Sequence, residues 1–128
     1  MADLKEKSIA LLSTTTVSTQ STDAQTLYTV PVGKTCILDS LLFVCGSAAS
    51  TTAKFTVGAS TATTDFLAEV TCTNHAAAGD VLRCVPIPAT TPLKGKPYAA
   101  GTAIVFKITT ADADGATDST AYLYGTLH

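Results

Sequence analysis

Short apolar and β-branched runs broken by turn residues recur along this chain, and the clearest is Leu27-Tyr28-Thr29-Val30 followed by Pro31-Val32-Gly33-Lys34. The apolar run resumes at Thr35-Cys36-Ile37-Leu38 and continues through Leu41-Leu42-Phe43-Val44-Cys45 to Gly46. Pro31 sets φ and removes a backbone donor, while Gly33 tolerates positive φ, so the chain is expected to reverse here between two strands. Strands are predicted over 8–17, 25–30, 34–45, 53–58, 65–72, 80–85, 102–110 and 119–127, each bounded by Gly, Pro, Asn, Asp or Ser. Period two is plain in the last of these, where Tyr122 and Tyr124 share one face and Ala121 and Leu123 the other. It recurs where Ile104, Phe106 and Ile108 alternate with Ala103, Val105 and Lys107. Strand 34–45 is apolar on both faces except at Asp39-Ser40. It reads either as a central strand covered on both sides or as one bent at Asp39 to serve two sheets.

No stretch has helical periodicity, and eight short strands at this spacing suggest an all-β sandwich or barrel; of the two, the expectation is an eight-stranded antiparallel β-sandwich. The expected core is Ile37, Leu41, Phe43, Phe55, Phe66, Leu82, Ile104 and Phe106. Pro86, Pro88, Pro92 and Pro97 keep 86–101 out of any central strand, so that segment is expected to cross from one sheet to the other. Nothing divides the chain internally. Residues 25–128 read as the sandwich domain, and 1–24 as either an N-terminal arm or the first strand, with 8–17 extended.

Composition narrows the function classes. Of 128 residues, 24 are Thr and 20 are Ala, so the strand faces suit water or another subunit. Lys and Arg total 8 and are scattered, and the formal net charge is −2, which argues against nucleic acid as a partner. So low a charge density gives little colloidal protection and favours a chain that lives in an assembly. The opening residues lack the pattern of a signal peptide, and no apolar run reaches membrane-spanning length. The chain is therefore expected to be made in a cytosol-like space, with no membrane partner, and Cys36, Cys45, Cys72 and Cys84 to be reduced core thiols. A hairpin of 66–72 with 81–84 around 74–79 would set Cys72 near Asp80 instead of opposite Cys84.

Candidate chemistry is sparse. Asp112-Ala113-Asp114-Gly115-Ala116-Thr117-Asp118 has alternating carboxylates suited to a hard cation but lacks the further ligands of a calcium loop, and reads as a hairpin tip. Cys72-Thr73-Asn74-His75 has the spacing of half a zinc site with no second half, so His75 is expected to tip an exposed loop. Only His75 and His128 offer a base, and nothing selects a serine for either. Asp65 and Glu69 read as a wet strand face, and Gly33-Lys34-Thr35 lacks the rest of a phosphate loop. Tyr28, Tyr98, Tyr122 and Tyr124 are equally suited to partners, sugars or ordinary strand packing. No enzymatic activity and no cofactor are expected.

The order of Leu27-Tyr28-Thr29-Val30-Pro31-Val32-Gly33-Lys34-Thr35, the strand Ile37 to Phe43, Pro92-Leu93 through Ala100-Gly101-Thr102-Ala103-Ile104-Val105-Phe106, and Ala121-Tyr122-Leu123-Tyr124-Gly125 resembles small β-sandwich structural and decoration proteins of tailed bacteriophages. The resemblance implies a jelly-roll-like sandwich, commonly a homotrimer, that binds the major capsid protein or another virion protein and catalyses nothing. Its four cysteines depart from that pattern. The leading expectation is a capsid decoration (cement) protein located in the virion and assembled in the host cytoplasm. The alternative is a tail or fibre-tip module that binds a host surface glycan. Ile9, Leu11 and Leu12 are the expected partner-interface residues.

Overall fold

The computed structural model describes residues 8–89 and 97–128. Among these residues nine strands form two antiparallel sheets: β1 (Ala10–Val17), β2 (Ala24–Thr29), β3 (Cys36–Val44), β4 (Lys54–Ala59), β5 (Ala62–Thr71), β6 (Val81–Cys84), β7 (Pro97–Tyr98), β8 (Ala103–Thr110) and β9 (Ser119–Leu127). One sheet, here sheet A, runs β1-β9-β3-β6 with β7 beside β3; sheet B runs β2-β8-β4-β5. The pairs β4–β5, β3–β6, β2–β8 and β1–β9 nest inside one another. The chain is thus one long hairpin, tipped by the turn at Ser60-Thr61 and wrapped on itself, which is the jelly-roll arrangement. The expected sandwich is present with one strand more than expected, the two-residue β7.

Wrapping explains why two anticipated hairpins are something else. Lys34 N–H donates to the Pro31 carbonyl at 3.2 Å and Gly33 sits at φ 76°, so the Pro31–Lys34 turn forms as the residues dictate. It joins β2 of sheet B to β3 of sheet A, however, instead of pairing them. Likewise β5 and β6 lie in different sheets, so 66–72 and 81–84 do not pair around 74–79. A turn fixes local reversal, but which strands then share hydrogen bonds is decided by the whole sheet.

The strand 34–45 meets neither expectation fully. The β3–β9 register slips between Leu38 and Ser40, so Asp39 bulges, yet β3 remains in sheet A throughout. The bulge shifts the inward set from Cys36 and Leu38 to Leu41 and Phe43, all buried. Ile37 therefore points outward at 39% exposed, which corrects its place in the expected core. Leu82, on the short edge strand β6, is only partly buried, packed against the core without being sealed in it. Leu41, Phe43, Phe55, Phe66, Ile104 and Phe106 are buried as expected.

The two sheets are held together at an aromatic cluster. Phe43 of sheet A meets Phe55 and Phe106 of sheet B with ring centroids 5.3 and 4.9 Å apart, and Phe55 stacks on Phe106 at 4.6 Å. Beyond β6 the chain crosses to the outer edge of sheet B, where Ile87 N–H donates to the Phe66 carbonyl and Ala68 N–H to the Ile87 carbonyl, at 3.0 and 2.7 Å. By β7 it is back in sheet A. The expected crossing of 86–101 is thus seen at both its ends, while Pro92 and Leu93 lie outside the described residues.

Candidate interaction surface

The residues that suggested chemistry are occupied structurally. His75 is fully buried, which corrects the expectation of an exposed loop tip. The loop 73–80 folds over the end of the sandwich and drives the imidazole into the core, 4.5 Å from the Phe43 ring. Its Nε2 lies 3.0 Å from the Phe43 carbonyl, which can only accept, so Nε2 carries the proton and Nδ1 is left bare and without a partner. Burial holds its pKa below the ordinary imidazole value, against the opposing pull of the Phe43 carbonyl and the Asp80 carboxylate.

The Asp112–Asp118 loop is a polar knot. Asp112 accepts from Asp114 N–H at 3.1 Å and Thr52 N–H at 3.4 Å, while Asp118 accepts Ser47 N–H at 2.9 Å and the Ser47 hydroxyl at 3.0 Å. The Ser47 bonds hold the Asp118 pKa below the usual carboxylate range. Behind the loop, the Thr19 and Ser50 hydroxyls meet at 3.0 Å, Thr19 donates to the Ala116 carbonyl, and Ala116 N–H donates to Ser50. Gly115 is required here, since a Cβ would collide with the Thr19 hydroxyl. These carboxylates spend their lone pairs tying loops together. Among the described residues no group of three or more His, Cys, Asp or Glu side chains is placed to hold a metal ion.

All four cysteines are buried free thiols. Burial pushes the Cys36 and Cys84 thiols up to about 11 and Cys72 up to about 12, and it also raises Cys45. None is a nucleophile at neutral pH. Asp65 is no wet strand carboxylate: it accepts the buried Tyr98 hydroxyl at 2.7 Å and Ala59 N–H at 3.1 Å, linking β7 of sheet A to sheet B. Burial and then that bond raise the Tyr98 pKa. Glu69 accepts from the Thr109 hydroxyl at 2.6 Å.

What remains unpartnered is surface. The anticipated interface residues divide: Ile9 and Leu11 are 60% and 50% exposed, whereas Leu12 sits in a bulge of β1 and packs toward the core. Leu11 is registered against Tyr124, and the face it shares extends across sheet A. Strand pairing places Tyr124 beside Ser40, Tyr122 beside Leu42, Leu42 beside Arg83, Thr120 beside Val44, and Val44 beside Val81. Their neighbours Ala121, Leu123, Leu41 and Phe43 are buried inward, so this set lies on the outer side, where Ser40 alone is buried. Ile37 continues it at one end, and Val81 is 55% exposed at the edge. Arg83 is the one charge at these paired positions. Of the four tyrosines, Tyr122 and Tyr124 lie on this face, Tyr98 is buried, and Tyr28 packs partly against the core.

Leu42, Val44 and Val81 were not singled out from the sequence as interface residues. Their signal was visible as the two-sided apolarity of strand 34–45, but a strand covered on both faces has the same pattern. Comparison of the chain with protein-family models, curated proteins and solved structures returns no match.

Proposed function

We propose that the chain is a non-enzymatic structural module that docks through the outer face of sheet A onto other proteins of a virus particle, as a capsid decoration protein clamping neighbouring capsid subunits. One observation carries the reading: a broad sheet face of Leu11, Ile37, Leu42, Val44, Val81, Tyr122 and Tyr124 that carries Arg83 as the one charge at its paired positions and, among the described residues, has no second layer of strands on it. Such a face suits association, since aromatic and aliphatic residues low in charge are what protein interfaces bury. The resemblance of 25–127 to phage decoration proteins points the same way and supplies the partner, a major capsid or other virion protein.

The test is a quantitative mass-spectrometric inventory of particles carrying this chain, repeated with Leu42→Lys and Val81→Lys. A decoration protein is present at a copy number comparable to the capsid subunits, and the two lysines strip it from the particle while the isolated protein keeps its β-sheet circular dichroism. Absence from particles would overturn the reading. A low copy number, together with sugar binding that depends on Tyr122 and Tyr124, would replace it with the fibre-tip alternative.

A further inference from the structure

The sandwich has four lateral edges, and among the described residues they are unequal. The outer edge of β5 is capped by 87–89, with Ala89 N–H reaching the Thr64 carbonyl as well as the Ile87 bonds. The edge strand β6 has four residues, carries Arg83 and gives way to Pro86. On β2, the Leu27 carbonyl already accepts the Thr15 hydroxyl at 3.4 Å, and the Gln25 side chain turns back to bond both backbone groups of Ser18. That leaves β1, eight residues long, bonded to β9 on one side and with no strand on the other.

Edges left open in monomeric proteins are ordinarily guarded by charge, proline or a short strand. Here Ala-Leu-Leu-Ser-Thr-Thr-Thr-Val has none of these, and neither does Ala-Gln-Thr-Leu-Tyr-Thr of β2, which lies beside it across the sandwich. Thr14 and Thr16 are exposed on this wall. We infer that β1 pairs with β1 of a second copy of this chain, antiparallel about a twofold axis, joining two A sheets into one continuous sheet. A second copy fits because an uncharged strand brings no like charges together when it meets itself, and because only an isologous pairing uses the same edge twice. A strand-paired ring would need a second, different open edge of similar length, whereas β5 is capped, β6 has four residues, and β2 has six with its Leu27 carbonyl already engaged by Thr15.

The bulge at Leu12 limits the regular part of β1 to Ser13–Val17. The symmetric register of that run sets Thr15 opposite Thr15 of the second copy, with Thr14 opposite Thr16 on the outer face. The pairing leaves the proposed docking face of sheet A uncovered and doubles it, so it stands or falls independently of that proposal.

Sedimentation equilibrium of the intact protein tests it, with Thr14→Lys/Thr16→Lys as the disrupting variant. The wild type is expected to show a concentration-dependent monomer–dimer equilibrium that hardly responds to salt, because no charges are paired. The double lysine variant should raise the dissociation constant at least about tenfold, since the introduced lysines of the two copies would stand directly opposite one another across the new strand pair, like charge facing like charge, while its thermal midpoint stays near that of the wild type. A wild type that stays monomeric at high protein concentration, a trimer, or a dimer that survives both lysines would each overturn the inference. If the lysine variant does not fold, hydrogen exchange on the wild type decides instead. Alternate β1 amides must be protected at high concentration and lose that protection on dilution, and unchanged β1 exchange would refute the pairing.

Discussion

A single histidine illustrates how far a residue's surroundings can depart from its sequence context. Cys72-Thr73-Asn74-His75 reads as a polar loop, yet His75 is sealed in the core with one nitrogen bonded to Phe43 and the other bare. Because burial lowers its folded pKa, the neutral ring is the form the fold holds. Above the unfolded value near 6.5 both states are neutral and the full stability is present. As pH falls through that value the unfolded chain takes up a proton that the folded chain resists, so stability drains away toward acid. Urea midpoints should therefore fall between pH of about 7.5 and 5, more steeply than in His75→Gln, and equal slopes would refute this. The thiols belong to the same scale. Native protein at pH of about 8 should react only slowly with a thiol reagent, because thiolate is scarce when burial raises the pKa. Unfolding without reductant should then release four reactive groups, and fewer would mean that a disulfide had formed.

At the scale of elements, local chemistry and sheet membership are separate decisions. Pro31 and Gly33 build their turn as the residue types suggest, whereas Asp39, read as part of a central strand or as a bend between two sheets, is a bulge within sheet A. Yet the turn bridges sheets, because β2 finds β8 and β3 finds β9, partners far away in the chain. The segment 8–17, open to an arm or a first strand on sequence, forms β1 along β9 over Ala10–Val17, with Val17 in the core. Deleting residues 1–20 should consequently do more than shed a tail. It removes Val17 and Leu12 from the packing and bares a full edge of β9, so the truncated chain should lose its cooperative unfolding transition or aggregate. A truncated monomer melting with the wild type would show β1 to be dispensable.

For the whole molecule, cohesion between the sheets rests on Phe43, Phe55 and Phe106, which are fully buried and mutually in contact. Phe106→Ala removes one of these three rings and should cost about 3–5 kcal/mol, read from denaturant unfolding at constant m-value. A loss below about 1 kcal/mol would mean that the sandwich closes around the gap and that the cluster is not its main joint. The same closure makes the outer face of sheet A distinctive. Once the aromatic cluster has satisfied the inner faces, the apolar residues of β3, β6 and β9 that point the other way have no sheet packed over them among the described residues.

Fold class was legible in the sequence because strand and turn signals are local: alternation, β-branched residues and Gly or Pro punctuation act over a few neighbours. The inward rows Ile104-Phe106-Ile108 and Ala121-Leu123 could be read that way, and all five residues are buried. The pairing of β1 with β9 and β2 with β8, the burial of His75, and the outward turn of Ile37 required the tertiary structure. Each depends on contacts between residues far apart in the chain, and in β3 a one-residue bulge exchanges the inner and outer faces, so neither propensity nor periodicity encodes them. The apolar face of sheet A lay in between: its residues were visible as a two-sided apolar strand, but only the number of layers decides whether the second side is core or surface, and two sheets leave it outside.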